Sequence, residues 1–435
     1  MQKRIVYITL WTLFAGAMLF LAINRHSRPG QFNYHSELWG DKAGYYVYLP
    51  ATLKYGFDPD AFPDSVDVKT GHGFRLDTAQ GTVITKYFYG TALMQLPFYL
   101  AADLLAPLAG QLRNGFSPVY HKAVNMAAVF YLVLGVAFLY RFLCGTFRRN
   151  TVVLTLFSIV FGTNLYYYAV DETGMSHVYS FALFAALVLM VQRWFAAGRL
   201  SSGRLLLMAF TSVLIVMVRP TGLLFIVFAV SFFISGKQDF HQKVLPLLRP
   251  GKLALMLLPV LVLVIPQLLY WKYAFGDYLV YSYSDRGFDW LDPQPHITLL
   301  SPNNGLLLYT PFFLLILWAI LHLIFKGPEK ATGIKTGLLF LVITYVFASW
   351  WVPDFGCSFG ARNYVEYYAA FALPLGYLYR DTQKLPAAGK RAFWLLVLLL
   401  IAFNLKMTYS WDECFYGTGY WDWAEYFRVV FSATK

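Results

Sequence analysis

Charge is scarce in this sequence. Asp, Glu, Lys and Arg make up 13% of its 435 residues, whereas 58% are hydrophobic and 19% aromatic. Soluble domains average about 25% charged residues, so this composition excludes a large soluble domain. Sequence motifs are just as sparse. There is no phosphate-binding glycine loop, no dinucleotide fingerprint, no CxxC pair and no HExxH, which leaves nucleotide-driven cytoplasmic chemistry without support. Internal repeats and low-complexity tracts are also missing. Of three cysteines, Cys144 falls at a cytoplasmic end, while Cys357 and Cys414 fall outside. A disulfide between the latter two and two free thiols are both open readings.

What is present is a series of apolar runs: 5–23, 119–142, 151–170, 177–195, 205–218, 221–234, 253–271, 306–325, 336–351, 364–380 and 392–408. They predict an all-α polytopic membrane protein of about 11 transmembrane segments. The first run follows Lys3 and Arg4 but lacks a small-x-small cleavage site, so it reads as a retained anchor with a cytoplasmic N-terminus. The stretch 91–109 contains Pro97, Asp103 and Pro107. Counting it as a span would turn Arg141, Arg148 and Arg149 outward, so the positive-inside rule assigns it to the outer interface. Arg219-Pro220 splits 205–234 into two runs, each about 21 Å long at ~1.5 Å per residue, against a hydrocarbon core of ~30 Å. A short hairpin with Arg219 at its tip keeps Lys237, Lys243, Arg249 and Lys252 inside.

With this topology, only Asp239, Glu329 and Asp381 of the 23 acids face the cytoplasm. The remaining acids crowd the outer side, eight of them in a large first loop, 24–118. The net charge of +12 belongs largely to the cytoplasmic turns. Its partner is anionic lipid, not nucleic acid. Residues 1–408 form the membrane domain and 409–435 a short outer tail.

The first loop reads Glu37-Leu-Trp-Gly-Asp41-Lys-Ala-Gly-Tyr45-Tyr46-Val-Tyr48. On a helix Asp41, Tyr45 and Tyr48 share a face, and a carboxylate beside tyrosines suits proton transfer from a hydroxyl acceptor. A solvated loop acid is the plain alternative. A short turn, Asp171-Glu172-Thr-Gly-Met-Ser176-His177, gathers further acids and a histidine. It serves either substrate contact or helix capping, and it lacks the second histidine a zinc site would need. Lys86, Arg219, Arg286 and Arg362 are outward cations near bilayer depth, suited either to a lipid phosphate or to snorkelling. Outer tryptophans such as Trp350, Trp351, Trp411, Trp421 and Trp423 mark an interfacial belt.

The N-terminal span, the early Asp before an aromatic helix and the in-plane segment before the second span together resemble GT-C class glycosyltransferases. The similarity is greatest to the polyprenyl-phosphate-sugar branch, which includes protein O-mannosyltransferases and lipid A aminoarabinose transferases. Lys86-Tyr-Phe-Tyr-Gly90 with Pro97, the Asp171–His177 turn, Arg219-Pro220-Thr221, and the series Trp351, Gly356, Phe359, Gly360 and Arg362 extend it to about residue 380. The resemblance implies a lipid-linked sugar donor and Asp41 as the base for direct displacement. Glu37, Tyr45, Lys86, Asp171, Glu172, His177, Arg219, Arg286 and Arg362 would then contact substrate. The acceptor would be a lipid, glycan or protein at the outer face of a bacterial inner membrane. A divalent metal has no support from the motifs. Lys42 stands where the family often has a second acid, and Glu37 is the substitute one turn earlier. Two other functions compete: a glycan ligase or polymerase using a diphosphate-linked oligosaccharide, and a lipid or sugar transporter. Charge-poor spans and unlike halves argue against the transporter.

Overall fold

Inside a bilayer a single segment is stable only if it satisfies its own backbone hydrogen bonds, so the apolar runs become helices. The structure, a computed structural model, describes residues 2–27, 30–283, 286–356, 358–411 and 419–433. Cys357 and Cys414, and with them the question of their pairing, lie outside the described residues.

In chain order the principal helices are α1 (Gln2–Arg25), α2 (Asp41–Tyr46), α3 (Gly90–Leu105), α4 (Pro118–Leu143), α5 (Arg149–Gly162), α6 (Leu165–Val170), α7 (His177–Ala197) and α8 (Ser202–Val218). They continue as α9 (Leu223–Ser231), α10 (Pro250–Phe275), α11 (Phe312–Phe325), α12 (Lys330–Ala348), α13 (Tyr368–Thr382), α14 (Ala387–Ser410) and α15 (Trp423–Phe431). Every apolar run has its helix. Among the described residues, six (α1, α4, α7, α10, α12 and α14) are long and apolar enough to cross a membrane. The chain is an integral membrane protein, with six full-length candidate spans where the sequence reading drew eleven.

The difference arises where runs break. The run 151–170 divides at Thr163, whose backbone is extended. Asn404 Nδ2 donates to the freed carbonyls of Phe161 (3.0 Å) and Thr163 (2.9 Å). A break at this depth needs such partners. The 205–234 run divides as expected, with extended Arg219 followed by a 3-10 turn at Pro220–Gly222.

The stretch 91–109 forms α3, 16 residues with Pro97 inside it. It packs against α4 and α8. Its Asp103 accepts from Arg113 and Tyr120 and pairs with Lys54, tying the far end of α3 to the first loop. That loop also holds a feature the sequence reading did not anticipate, an antiparallel hairpin of β1 (Arg75–Asp77) and β2 (Thr82–Ile84), in register Arg75 to Ile84.

Packing is aromatic. Tyr364, Tyr367, Tyr368, Phe313 and Phe371 are buried where α13 and the turn before it meet α7 and α11, and Tyr379 is buried against Phe393 and Trp394 of α14. By contrast, Leu257, Leu258, Leu261 and Val262 on α10, and Leu395, Leu398 and Leu399 on α14, are exposed. So much exposed aliphatic surface is costly in water and natural against lipid. In the tail, α15 packs back on the bundle: Tyr426 Oη donates to Leu308 O (3.1 Å) and Lys406 Nζ to Val429 O (2.7 Å).

The first turn of α3 meets the last turn of α8 almost backbone to backbone. A Cβ on Gly90 would lie 2.3 Å from the Met217 carbonyl carbon. Gly90→Ala is expected to cost about 1–3 kcal/mol and to lower the melting temperature in detergent. Gly203→Ala, with nothing within 4 Å, is the control and should match or exceed the wild type. Equal melting of all three proteins would refute the close approach.

Candidate functional site

Asp41 opens α2 directly after Gly40, whose φ of 55° lies in the left-handed region. Backbone crowding fixes the spot. A Cβ on Gly73 would sit 1.8 Å from Gly40 O, and one on Gly44 would sit 2.3 Å from Gly73 O. Thr85 Oγ1 donates to Gly44 O (2.9 Å), and Tyr48 Oη donates to the Tyr87 carbonyl (2.6 Å). These contacts aim Tyr87 at Asp41, and its hydroxyl donates to Oδ1. Arg362 Nη2 stands 3.3 Å from Oδ2. The Asp41 side chain is still 34% exposed, so it stays accessible while held on both oxygens.

Arg362 is delivered by a loop with little freedom. Gly360 and Ala361 both have positive φ. Asn304 Oδ1 accepts from Gly360 N (2.5 Å), Asn164 Nδ2 donates to Gly360 O (2.5 Å), and Tyr168 Oη accepts from Phe359 N (3.0 Å). Lys86 Nζ lies over the Tyr87 and Tyr283 rings, 5.2 and 5.5 Å from their centroids. Tyr45 packs on Tyr87 with ring centroids 4.2 Å apart. Burial pushes the Asp41 carboxyl up, but Arg362, Lys86 and the Tyr87 hydroxyl outweigh it and hold the group below its ordinary range. Asp41 therefore stays ionised at neutral pH. Two cations beside one carboxylate favour an anionic guest over a divalent metal. Among the described residues no three His, Cys, Asp or Glu side chains group as metal ligands.

Arg219 joins this cluster through Ser176. Ser176 Oγ donates to Tyr45 Oη (3.4 Å) and accepts from Arg219 Nη1 (3.2 Å). Arg219 Nη2 donates to Asn363 Oδ1 (2.6 Å), and Nε lies 2.9 Å from Glu366 Oε1. The other Glu366 oxygen is 3.1 Å from His177 Nδ1. His177 and Glu366 are fully buried.

The remaining sequence-predicted residues are placed elsewhere. Asp171 binds Arg25 at the end of α1. Glu172 binds buried Lys42 Nζ at 3.0 Å. Lys42 thus clamps the acidic turn to the first loop. Gly174 lets the two meet, since a Cβ there would lie 2.3 Å from Glu37 O. Glu37 does not join Asp41: its carboxylate is taken by His121 Nδ1 (3.0 Å) and Asn125 Nδ2 (2.6 Å). Arg286 is exposed and stacks on Trp351, 4.5 Å from the ring centroid. The structure therefore brings together Asp41, Tyr45, Lys86, His177, Arg219 and Arg362, and adds Tyr87, Asn363 and Glu366, which sequence reasoning had not singled out. The available signal for Glu366 was a carboxylate four residues after Arg362 at the mouth of an apolar run.

No family model matches the sequence, and no curated protein matches it. Solved structures do. The archaeal oligosaccharyltransferase AglB from Archaeoglobus fulgidus, determined with an inhibitory peptide and a dolichol-phosphate, aligns with a TM-score of 0.53 and 13% identity over 93% of this chain. The apo form of the Archaeoglobus fulgidus oligosaccharyltransferase aligns with a TM-score of 0.50 and 13% identity over 91%. The fold is GT-C. The chain spans 55% of the length of these neighbours.

One prediction concerns Asp171. Burial, reinforced by Glu172 and only partly offset by Arg25 and Lys42, pushes its pKa up to about 6. An acid raised above its unfolded value of about 3.9 binds its proton more tightly when folded. Its contribution to stability is therefore greatest at low pH and declines as pH rises from about 4 to about 6. Melting curves of wild type and Asp171→Asn across that window should show this decline only in the wild type. Parallel curves would contradict the assignment.

Proposed function

We propose that the chain is a membrane glycosyltransferase that moves a sugar from a polyprenyl-phosphate donor to a lipid, glycan or protein acceptor. The observation that carries this is Asp41, ionised and partly open between Tyr87, Arg362 and Lys86. The acceptor oxygen bonds to the anomeric carbon as the bond from that carbon to the phosphate oxygen breaks. Polyprenyl phosphate leaves with the electron pair, and the acceptor proton passes to Asp41. Arg362, Lys86 and Arg219 are the partners of the phosphate oxygens, and Tyr283, partly exposed, offers a face on which the sugar packs, with Tyr45 buried behind Tyr87. The site faces the extracytoplasmic side of a bacterial inner membrane, with the N-terminus in the cytoplasm.

Two things support the donor class. Arg219 is offset by Glu366, so Arg362 and Lys86 against Asp41 leave a net positive charge, suited to a singly charged phosphodiester. AglB was determined with a dolichol-phosphate, a lipid phosphate of this kind. The oligosaccharyltransferase neighbours favour one second reading, transfer of a whole glycan from a lipid-linked oligosaccharide. The sugar donor panel below separates the two.

Purified protein with crude membrane acceptors should release polyprenyl phosphate from at least one polyprenyl-phosphate sugar. Asp41→Asn should reduce that rate by about 10²–10⁴-fold, the usual contribution of a positioned base. Release only from diphosphate-linked oligosaccharides would select the second reading, and equal rates would remove Asp41 from the chemistry.

Arg362→Gln takes away a cation that stabilises the Asp41 carboxylate. The base then holds its proton to higher pH, so the acid limb of kcat/KM should move upward. An unmoved limb would show that the Asp41–Arg362 pair does not govern the reacting base.

A further inference from the structure

Glu366 is a carboxylate almost wholly out of water that the chemistry above does not use. Its side chain is 1% exposed, and that of its partner His177 is 0% exposed. A buried carboxylate persists only when its oxygens are engaged, and both of these are: Oε1 lies 2.9 Å from Arg219 Nε and Oε2 lies 3.1 Å from His177 Nδ1. The far side of the ring adds a constraint. His177 Nε2 stands 3.5 Å from Arg219 Nη1. A neutral imidazole with its hydrogen on Nδ1 donates to Glu366 and turns its Nε2 lone pair toward the guanidinium. The doubly protonated ring would point an N–H at a cation.

Arg219 is thus gripped from several elements. Ser176 and His177 come from the start of α7, while Asn363 and Glu366 come from the 3-10 turn Arg362–Tyr367. Of the five guanidinium hydrogens, Ser176, His177 and Asn363 engage three, and Glu366 Oε1 adds a close ion contact to Nε without hydrogen-bond alignment. The side chain stays 15% exposed, and Ser176 links it to Tyr45 in the Asp41 cluster. A buried ion pair adds little net stability compared with apolar packing, but it fixes a planar guanidinium in one orientation.

We propose that Glu366 and His177 are positioning residues that hold Arg219 with one N–H edge turned to the donor phosphate. This rests on the reading that the site binds a lipid-linked sugar phosphate. Glu366 touches neither donor nor acceptor; it acts through Arg219. Removing it loosens donor binding rather than the proton transfer at Asp41.

The test is a double-mutant cycle on donor KM and kcat with Glu366→Gln, Arg219→Gln and the double variant. Glu366→Gln should raise donor KM about tenfold, the scale of one charged hydrogen bond, and change kcat little. Arg219→Gln should raise KM at least as much, and the double variant should be no worse than Arg219→Gln alone. Asn363→Ala removes one contact to the guanidinium without stranding a charge, so it should show the same rise even if Glu366→Gln fails to fold. An unchanged KM in Glu366→Gln or Asn363→Ala, or effects that multiply in the double variant, would overturn the proposal. If the wild type turns over no donor, the function reading fails, and binding of polyprenyl phosphate by native mass spectrometry becomes the readout. The same non-additivity is then expected, and equal binding by wild type and Glu366→Gln rejects the positioning role.

Discussion

A carboxylate near the apolar body of a membrane protein must be matched by a cation, and the polar cluster around Asp41 and Arg219 is organised by that requirement. Arg25 meets Asp171, Lys42 meets Glu172, Arg219 meets Glu366 and Arg362 meets Asp41. Each pair joins segments distant in sequence. The end of α1, the first loop, the turn before α7, the break after α8 and the loop before α13 are thereby drawn to one place. Deleting one member of such a pair strands its partner, at a cost of about 3–5 kcal/mol in buried settings. The pairs differ in openness, and the difference separates their roles. Glu366 is sealed, whereas Asp41 keeps about a third of its side chain accessible.

The helix interruptions belong to the same organisation. Extended backbone at Thr163 and Arg219 would leave unpaired carbonyls in lipid, and here it is met by Asn404 or turned into the polar cluster. The chain gives up uninterrupted spans where it needs polar groups at the mouth of the bundle. That explains why apolar runs of the right composition yield six helices of full spanning length and several shorter ones.

The helical architecture was legible because periodicity and bilayer length constrain it strongly. Asp41 stood out from its place before an aromatic helix, and Arg219 because a charge at a break between apolar runs must face something polar. Pairing was not legible. Nothing local in the sequence joins Arg25 to Asp171 or Lys42 to Glu172, since those contacts arise from how α1 and the first loop dock on the turn before α7. Glu366 was hidden because it sits in a run read as a span, 364–380, where its apolar neighbours set the pattern. The β1–β2 hairpin was missed because strands of three residues carry too little alternation to register. Glu37 shows that spacing alone does not fix a side chain's partner. It lies one helical turn before Asp41, yet its carboxylate turns away to His121 and Asn125.

The central claim is that the cations gathered around Asp41 form the seat of a lipid phosphate. A cryo-electron microscopy structure of the protein with bound polyprenyl phosphate tests it most directly. The account predicts phosphate density within hydrogen-bond reach of Arg362, Lys86 and Arg219, with the Asp41 carboxylate facing the space beside it. Density for the headgroup on another face of the bundle, with the Asp41–Arg362 pair undisturbed, would contradict it.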